Sequence, residues 1–297
     1  MILNQEASPV WSSEDTARLT AAFRSIEMER ERPLLVDPWS PLLAGDKGYQ
    51  LVQRFPGQAD SATGSIIRSL LVDEILEKLI GDGACDHVLC VGAGYDTRPY
   101  RLALPSNFRW TEFDLPDLIQ RKTRLLDAVK PNCRVDRFDG QLFTPQFLQK
   151  ILAESRRVAV IMEGFLIYQH RELVDQIART LTKCPNIECW VTDLASSFMR
   201  RQFNLETQRN PKLNGINWRF APEDPAISFR ELGWEIRQTF SCLYKSRLLN
   251  RAIVDIEAAR DLEARDVNPN LLSTVVVMRP GAVSHEQNLN YSMHHTF

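Results

Sequence analysis

The chain lacks long apolar runs and has no excess of charge of either sign. No apolar stretch approaches the about 20 residues that a membrane-spanning helix needs. Residues 1–15 have neither the basic start nor the long apolar region of a signal peptide. Lysine and arginine number 36 against 38 acidic residues, a formal net charge of −2. We therefore expect a cytosolic protein whose main partner is neither a nucleic acid nor a membrane.

Metal-ligating residues are also scarce, with 5 histidines and 6 cysteines in 297 residues. Cys85 and Cys90, like Cys184 and Cys189, are separated by four residues. Zinc-binding pairs sit closer together and are joined by further Cys or His ligands at fixed spacing. Two of these cysteines lie inside apolar, strand-like runs. The sequence therefore predicts buried thiols and no metal site.

What the chain does have is a regular alternation of short apolar strands and amphipathic helices. The first strand, "HVLCVG", and the fourth, "VAVIMEG", are continuous apolar runs of the kind that is buried on both faces of a parallel sheet. Weaker strands fall between and after them, up to "LSTVVVMRP". This βαβ repetition predicts a doubly wound parallel sheet, with ligands bound at the carboxyl ends of its strands.

We predict a single domain that spans residues 1–297. Three of its segments lie outside the βαβ repetition. Residues 1–58 are expected to form a helical N-terminal extension that caps it. Residues 196–227 are aromatic, basic and too long for a plain connection, so we predict a lid there. Residues 281–297 are polar and predict a flexible tail.

A glycine turn ends the first strand and offers close backbone approach to a ligand. Gly92 and Gly94 are followed, 20–22 residues later, by Asp114 at the end of the second strand. This is the spacing at which an acid binds ribose hydroxyls, in nicotinamide and S-adenosylmethionine binders alike. The dinucleotide fingerprint requires Gly or Ala where this chain has Thr97. The sequence thus predicts an adenosine cofactor, with Thr97 counting against NAD.

Three further charged residues favour S-adenosylmethionine. Asp139 follows the third strand, where an adenine amino group is met, and Glu163 ends the fourth strand, facing the cofactor. Arg68, on the upstream helix, is suited to clamp a carboxylate such as that of methionine. No basic residue directly follows Asp114 to bind a 2′-phosphate.

Two more charged residues have structural as well as functional interpretations. Arg98, next to Asp96, is predicted to brace the turn by an ion pair, and an anion-binding role is its alternative. Asp193, at the end of the fifth strand, either caps the chain beyond it or takes part in catalysis.

Four motifs, in order, resemble the leucine carboxyl methyltransferase family, and the resemblance covers most of the chain. This family includes the protein-phosphatase C-terminal methyltransferases and bacterial O-methyltransferases of polyketide biosynthesis, of the tetracenomycin type. "VGAGYDTRPYRL" is similar to its G-A-G-x-D-T-R signature and "IIRSLLVDEIL" to its Arg-bearing helix; "FDLPDLIQRK" and "MEGFLIY" resemble its second-strand acid and its E-G-x-x-x-Y motif. The resemblance implies a class I methyltransferase (Rossmann-like) fold and an S-adenosylmethionine cofactor.

The resemblance also implies roles for individual residues. Gly92 lets the backbone approach the cofactor, Asp114 holds the ribose hydroxyls and Arg68 pairs with the methionine carboxylate. Asp136 is a rival to Asp139 at the adenine. The remaining implied contacts are Asp139 and Gly140 at the adenine, Glu163 beside the cofactor, and Arg24 as the N-terminal basic residue of the site.

The acceptor implied is a small molecule, with a carboxylate preferred because it is ionised at neutral pH and needs no base. A hydroxyl acceptor needs one, and His170 either serves as that base or simply begins a helix. Tyr168 is predicted to line the pocket, with a core position as its alternative. Basic residues of the lid, Arg200, Arg201 and Arg219, favour an acidic acceptor.

Other interpretations stay open at this point. A protein C-terminal carboxylate is a further possible acceptor within the family. An NAD-dependent oxidoreductase shares the glycine turn and Asp114, and a catalytically silent cofactor-binding partner shares the whole cofactor set. The sequence does not determine the oligomeric state.

Overall fold

The computed structural model describes residues 11–55, 58–210, 213, 215–251 and 268–281. Seven strands form one sheet with helices on both faces. The strands are β1 His87–Val91, β2 Arg109–Asp114, β3 Arg134–Asp139, β4 Val158–Met162, β5 Ile187–Ala195, β6 Trp234–Ser241 and β7 Ser273–Pro280.

The strand order, β3-β2-β1-β4-β5-β7-β6, confirms the doubly wound fold. The chain starts in the middle of the sheet, winds to one edge and then returns past β1 to the other. β1 pairs in parallel with both β2 and β4, but β7 runs antiparallel between β5 and β6. The prediction of a parallel sheet is therefore wrong for β7. An apolar strand buried on both faces has the same pattern in either direction, so the pattern does not encode its direction.

Ten helices are described, besides short 3₁₀ turns. Their bounds are α1 Ser13–Met28, α2 Ser40–Arg54, α3 Gln58–Gly81, α4 Arg98–Arg101, α5 Pro116–Leu125, α6 Pro145–Leu152, α7 Arg171–Leu181, α8 Ser197–Arg209, α9 Pro225–Arg230 and α10 Cys242–Leu248. None of them is long and apolar enough to cross a membrane.

The core lies on both faces of the sheet because its central strands are buried on both. Every residue of β1 and of β4 is buried. One face packs on α6 and α7 and includes Trp190, whose ring meets those of Phe229 and Trp234 edge to face at 5.5 and 5.4 Å. The other face packs on α3 and includes Trp110. The sheet is thus a rigid platform for the loops at its carboxyl edge.

The predicted N-terminal cap contains α1 and α2, which pack on each other. Ser12 and Asp15 form a reciprocal capping box that begins α1. The predicted lid contains α8 and the beginning of α9, whereas the predicted tail, apart from Gly281, lies outside the described residues. The cap, lid and tail boundaries stay predictions.

Candidate active site

A cavity of about 1100 Å³ opens at the carboxyl ends of β1 to β5. Two of its walls differ in composition. The sheet wall consists of residues at or near the carboxyl ends of the strands, together with Arg68 of α3; these residues are Gly92, Gly94, Asp114, Asp139, Gly140, Glu163 and Asp193. The lid wall consists of residues of α8 and of the loop after it, namely Phe198, Met199, Gln202, Phe203, Trp218 and Arg219.

The glycine turn has a backbone that requires glycine. Gly92 and Gly94 have φ values of +69° and +43°, in the left-handed region that side chains with a Cβ atom disfavour. A Cβ atom on Gly92 would also lie 2.3 Å from Cδ2 of Phe165. The turn therefore presents bare backbone to the cavity.

Asp114 ties this turn to the second strand. Its Oδ2 accepts the Gly94 N–H at 2.6 Å and its Oδ1 accepts the Leu115 N–H at 2.7 Å. Burial raises the pKa of Asp114, and these two N–H groups oppose the rise without cancelling it. Each carboxylate oxygen accepts up to two hydrogen bonds, so Asp114 keeps capacity for two hydroxyl donors.

The two rival acids of the third strand lie in different places, and the adenine contact stays a prediction. Asp139 ends β3 and lines the cavity, where its Oδ1 accepts the Gln141 N–H at 2.9 Å. Gly140 follows it, with its Cα so near Asp114 that an added Cβ would lie 3.3 Å from the Asp114 carbonyl oxygen. Asp136 lies in the middle of β3, away from the cavity lining, and pairs with Arg134 at 3.1 Å.

Glu163 is the most heavily bonded acid of the sheet wall. Its Oε1 accepts from Arg68 Nε at 3.1 Å and from Ser69 Oγ at 2.6 Å, and its Oε2 accepts from Arg98 Nη2 at 2.6 Å. Burial acts to raise the pKa of Glu163, but the two guanidinium groups outweigh it and hold that pKa well below its ordinary value. Glu163 is therefore ionised at neutral pH.

Arg98 braces the turn, as predicted. It pairs with Asp96 at 2.7 Å and also with Asp73 and Glu163, each at 2.6 Å. Its side chain is only 3% exposed, so these three carboxylates surround a buried cation. Arg101 adds a second guanidinium on Asp73, with bonds of 2.6 and 2.9 Å.

Asp193 does not cap the helix that follows β5, and a catalytic role for it stays a prediction. It lies inside β5, and Ser196 rather than Asp193 caps the helix that follows. Its Oδ1 accepts the Gly164 N–H at 2.6 Å, and its Oδ2 lies 3.5 Å from Arg68 Nη1. Asp193 thus fixes both the turn after β4 and the position of Arg68. No sequence motif signals this role, because the three residues come from separate elements.

Arg24 lines the cavity and links the N-terminal helices to the glycine turn. Its Nε donates to Asp37 at 2.8 Å, and its Nη2 donates to the Tyr95 carbonyl at 2.7 Å. Asp37 is fully buried and also accepts from Thr97 Oγ1 at 2.7 Å. Thr97, which breaks the dinucleotide fingerprint, is therefore bonded to the N-terminal segment.

The structure separates the two candidate catalytic residues. Tyr168 lines the cavity, and burial raises the pKa of its phenol, a rise that Arg68 and the Trp218 indole oppose. His170 is exposed, occupies the N-cap position of α7 and is absent from the cavity lining. The structure therefore brings Tyr168, but not His170, to the cofactor residues. A catalytic role for either stays a prediction.

The lid wall is aromatic and is held to the turn after β4. The rings of Phe203 and Trp218 stack at a centroid distance of 4.2 Å and an angle of 15°. The side chain of Asn204 accepts the Trp218 N–H at 2.9 Å and donates to its carbonyl at 2.8 Å. The Arg219 N–H donates to the Ile167 carbonyl at 2.6 Å, which places the lid wall beside Tyr168.

A sequence model of the leucine carboxyl methyltransferase family matches residues 17–182, more than half of the chain. A Frankia alni protein named "Putative S-adenosyl-L-methionine-dependent methyltransferase FRAAL3718" is 27% identical over 186 residues, 58% of this chain and 64% of that protein. A Mycobacterium ulcerans protein with the same description is 32% identical over 124 residues, 37% of this chain and 40% of that protein. The matched part of this chain therefore spans less than two thirds of either relative.

The fold has a counterpart among solved structures. A crystal structure described as a putative methyltransferase from Thermobifida fusca YX superposes with a TM-score of 0.56 at 16% identity, over 94% of this chain and 97% of that one. At this identity the likeness shows the fold alone, and it confirms the predicted fold class.

Proposed function

The chain belongs to the leucine carboxyl methyltransferase family, and from this premise we propose that it is a cytosolic S-adenosylmethionine-dependent O-methyltransferase. Its acceptor is the carboxylate of a small molecule of natural-product type. When bound, S-adenosylmethionine supplies a methyl group activated by its sulfonium. Asp114 binds the ribose hydroxyls, Asp139 and Gly140 meet the adenine, and Arg68 binds the methionine carboxylate.

The main support for this proposal is the hydrogen bond that joins Asp114 to the glycine turn. The 2.6 Å bond from the Gly94 N–H fixes the turn and the ribose-binding acid in one rigid unit. Asp139 and Glu163 continue the same wall of the cavity, at the ends of the third and fourth strands. Arg68 keeps its Nη2 without a partner among the described residues, so it retains a donor for a carboxylate.

The local electrostatics disfavour a dinucleotide. Dinucleotide sites bind the pyrophosphate at the N-terminus of the helix after the glycine turn. Here that helix, α4, has only four residues, and Asp96, two residues before it, accepts the Arg98 N–H with its Oδ1 at 2.8 Å. Burial acts to raise the pKa of Asp96, but Arg98, Lys122 and Arg101 lower it below its ordinary value. A pyrophosphate would therefore meet a carboxylate rather than free N–H groups.

The composition of the cavity favours a carboxylate acceptor over a hydroxyl. Among the described residues, no histidine lines the cavity. His87 lies at the opposite end of the sheet, buried between Ser155 and Thr111, and burial lowers its pKa to about 4. A carboxylate is already ionised at neutral pH, so positioning beside the donor is sufficient and no base is needed.

Isothermal titration of the purified protein with S-adenosylhomocysteine, the demethylated donor, tests the cofactor assignment, with NAD titrated in parallel. We expect S-adenosylhomocysteine to bind at one site and NAD to show no binding. Binding of NAD without S-adenosylhomocysteine would overturn the proposal in favour of an oxidoreductase. Absence of both would show that the glycine turn has only a structural role.

A further inference from the structure

The cavity extends well beyond the residues assigned to the cofactor. Besides the sheet wall, it is lined by large aromatic side chains from the N-terminal segment and from the lid wall. These side chains are Phe23, Phe55, Phe198, Phe203 and Trp218. Aromatic rings prefer stacked or edge-to-face contacts, so a lining of this kind suits a flat aromatic partner better than a flexible aliphatic one.

The lid wall is held in place before any acceptor binds. Asn204 fixes the Trp218 peptide from both sides, and Phe203 covers one face of the Trp218 indole in a near-parallel stack. Because the ring is already fixed, little conformational entropy is lost when a second ring packs against this pair.

Arg219 differs from the other arginines that line the cavity. Arg24, Arg68, Arg98 and Arg101 each pair with at least one carboxylate. Arg219 is exposed, and its guanidinium has no acidic partner among the described residues. Its backbone bond to Ile167 places it on the lid wall next to Tyr168.

We propose that Arg219 and the Phe203–Trp218 stack form an acceptor subsite specific for an aromatic carboxylic acid. The guanidinium binds the carboxylate, whose two oxygens match its planar pair of N–H donors, and the stacked rings hold the aromatic body. Arg219 is thus a specificity-determining residue. This assignment rests on the proposed function, because it requires a methyl donor on the sheet wall and an acceptor on the lid wall.

Binding to the S-adenosylhomocysteine-loaded protein tests the subsite with three probes of similar size. They are 2-naphthoate, its neutral analogue 2-naphthamide, and the saturated acid decahydro-2-naphthoate. We expect 2-naphthoate to bind about tenfold more tightly than either other probe, because only it offers both the charge and the flat ring. Equal affinities for acid and amide would overturn the role of Arg219, and equal affinities for the two acids would overturn the aromatic preference. Absence of binding by all three would overturn both.

Substitutions at Arg219 test whether this residue of the lid wall causes the preference for the acid over the amide. Arg219→Gln is expected to abolish the preference for acid over amide, and Arg219→Lys to restore part of it, because lysine keeps the charge without the paired donors. Arg201→Gln is the matched control, since Arg201 lies on α8, pairs with Glu223 at 3.7 Å and is absent from the cavity lining. It should behave as wild type. An unchanged preference in Arg219→Gln would overturn the proposal.

Titration with S-adenosylhomocysteine alone separates this proposal from the proposed function. All three variants should bind it with wild-type affinity, since none touches the sheet wall. If the wild type fails to bind it, the proposed function fails. If it binds but the probe pattern is absent, only the acceptor subsite is wrong.

Discussion

The two walls of the cavity differ in how their charged side chains are paired. On the sheet wall, buried charges are bonded to one another: Arg98 contacts three carboxylates, and Glu163 accepts three hydrogen bonds. On the lid wall, aromatic surface predominates, and Arg219 has no acidic partner among the described residues. The arginines of the first wall are thus already paired with carboxylates before a ligand arrives, whereas the second wall keeps Arg219 for one.

This difference agrees with the proposed roles of the two walls, one for the cofactor and one for the acceptor. A cofactor site must hold polar groups at fixed positions, and such groups stay fixed only when other bonds support them. Buried charges also have to be paired, because an unpaired one is costly. An acceptor site needs to discriminate, and a free charge beside flat apolar surface does so without a supporting network. The family match ends at residue 182, before the lid wall begins, which agrees with this division.

The largest effect is expected for Arg98→Ala, in the ion-pair network of the sheet wall. It removes the cation shared by Asp73, Asp96 and Glu163 and leaves their buried carboxylates facing one another. We expect the free energy of unfolding to fall by about 3–5 kcal/mol, the usual cost of breaking a buried ion pair by removing one partner. Urea denaturation followed by circular dichroism measures it.

The control for this change is Arg171→Ala. Arg171 pairs with Asp175 at 2.6 Å on the surface of α7, so its removal should cost at most about 1 kcal/mol. A loss as small as this in Arg98→Ala would mean that the sheet wall is not held by its ion pairs, and the contrast between the two walls would fail.

A smaller effect, confined to the cofactor, is expected for Asp114→Ala. The change removes the proposed acceptor for the ribose hydroxyls and leaves the Gly94 N–H without its partner. S-adenosylhomocysteine should bind about 1–3 kcal/mol more weakly, as measured by calorimetry. Asp136→Ala, on the same sheet but away from the cavity lining, should bind it like the wild type. Unchanged affinity in a folded Asp114→Ala protein would remove the ribose assignment.

The sequence predicts the sheet wall well where its residues follow strands. Gly92, Asp114, Asp139 and Glu163 each stand at or just beyond the carboxyl end of a buried strand, and parallel strand ends meet at one edge of a sheet. Their convergence therefore follows from topology alone. The ion pair of Arg98 with Asp96 could also be predicted, because the two residues are only two positions apart in the chain.

What the sequence could not predict are contacts between distant elements. Glu163 meets Arg68 across 95 positions and Arg98 across 65, and Asp193 meets Gly164 across 29. No spacing rule relates residues so far apart, since each pair is fixed by helix packing on the sheet. The direction of β7 could not be predicted for a different reason. The apolar pattern of a fully buried strand is the same whichever way the strand runs.

The smallest effect is expected at His170, which belongs to neither wall. The protein is incubated with S-adenosylmethionine and either 2-naphthoate or 2-naphthol, and the S-adenosylhomocysteine released is measured. This assay compares a carboxylate acceptor with a hydroxyl acceptor. Because the exposed imidazole lies outside the cavity lining and a carboxylate needs no base, His170→Ala should methylate 2-naphthoate at the wild-type rate. Methylation of 2-naphthol with an about hundredfold loss in the variant would instead identify His170 as a general base. It would also require the loop before α7 to move towards the cavity, so that a residue outside the lid wall would help to determine the acceptor.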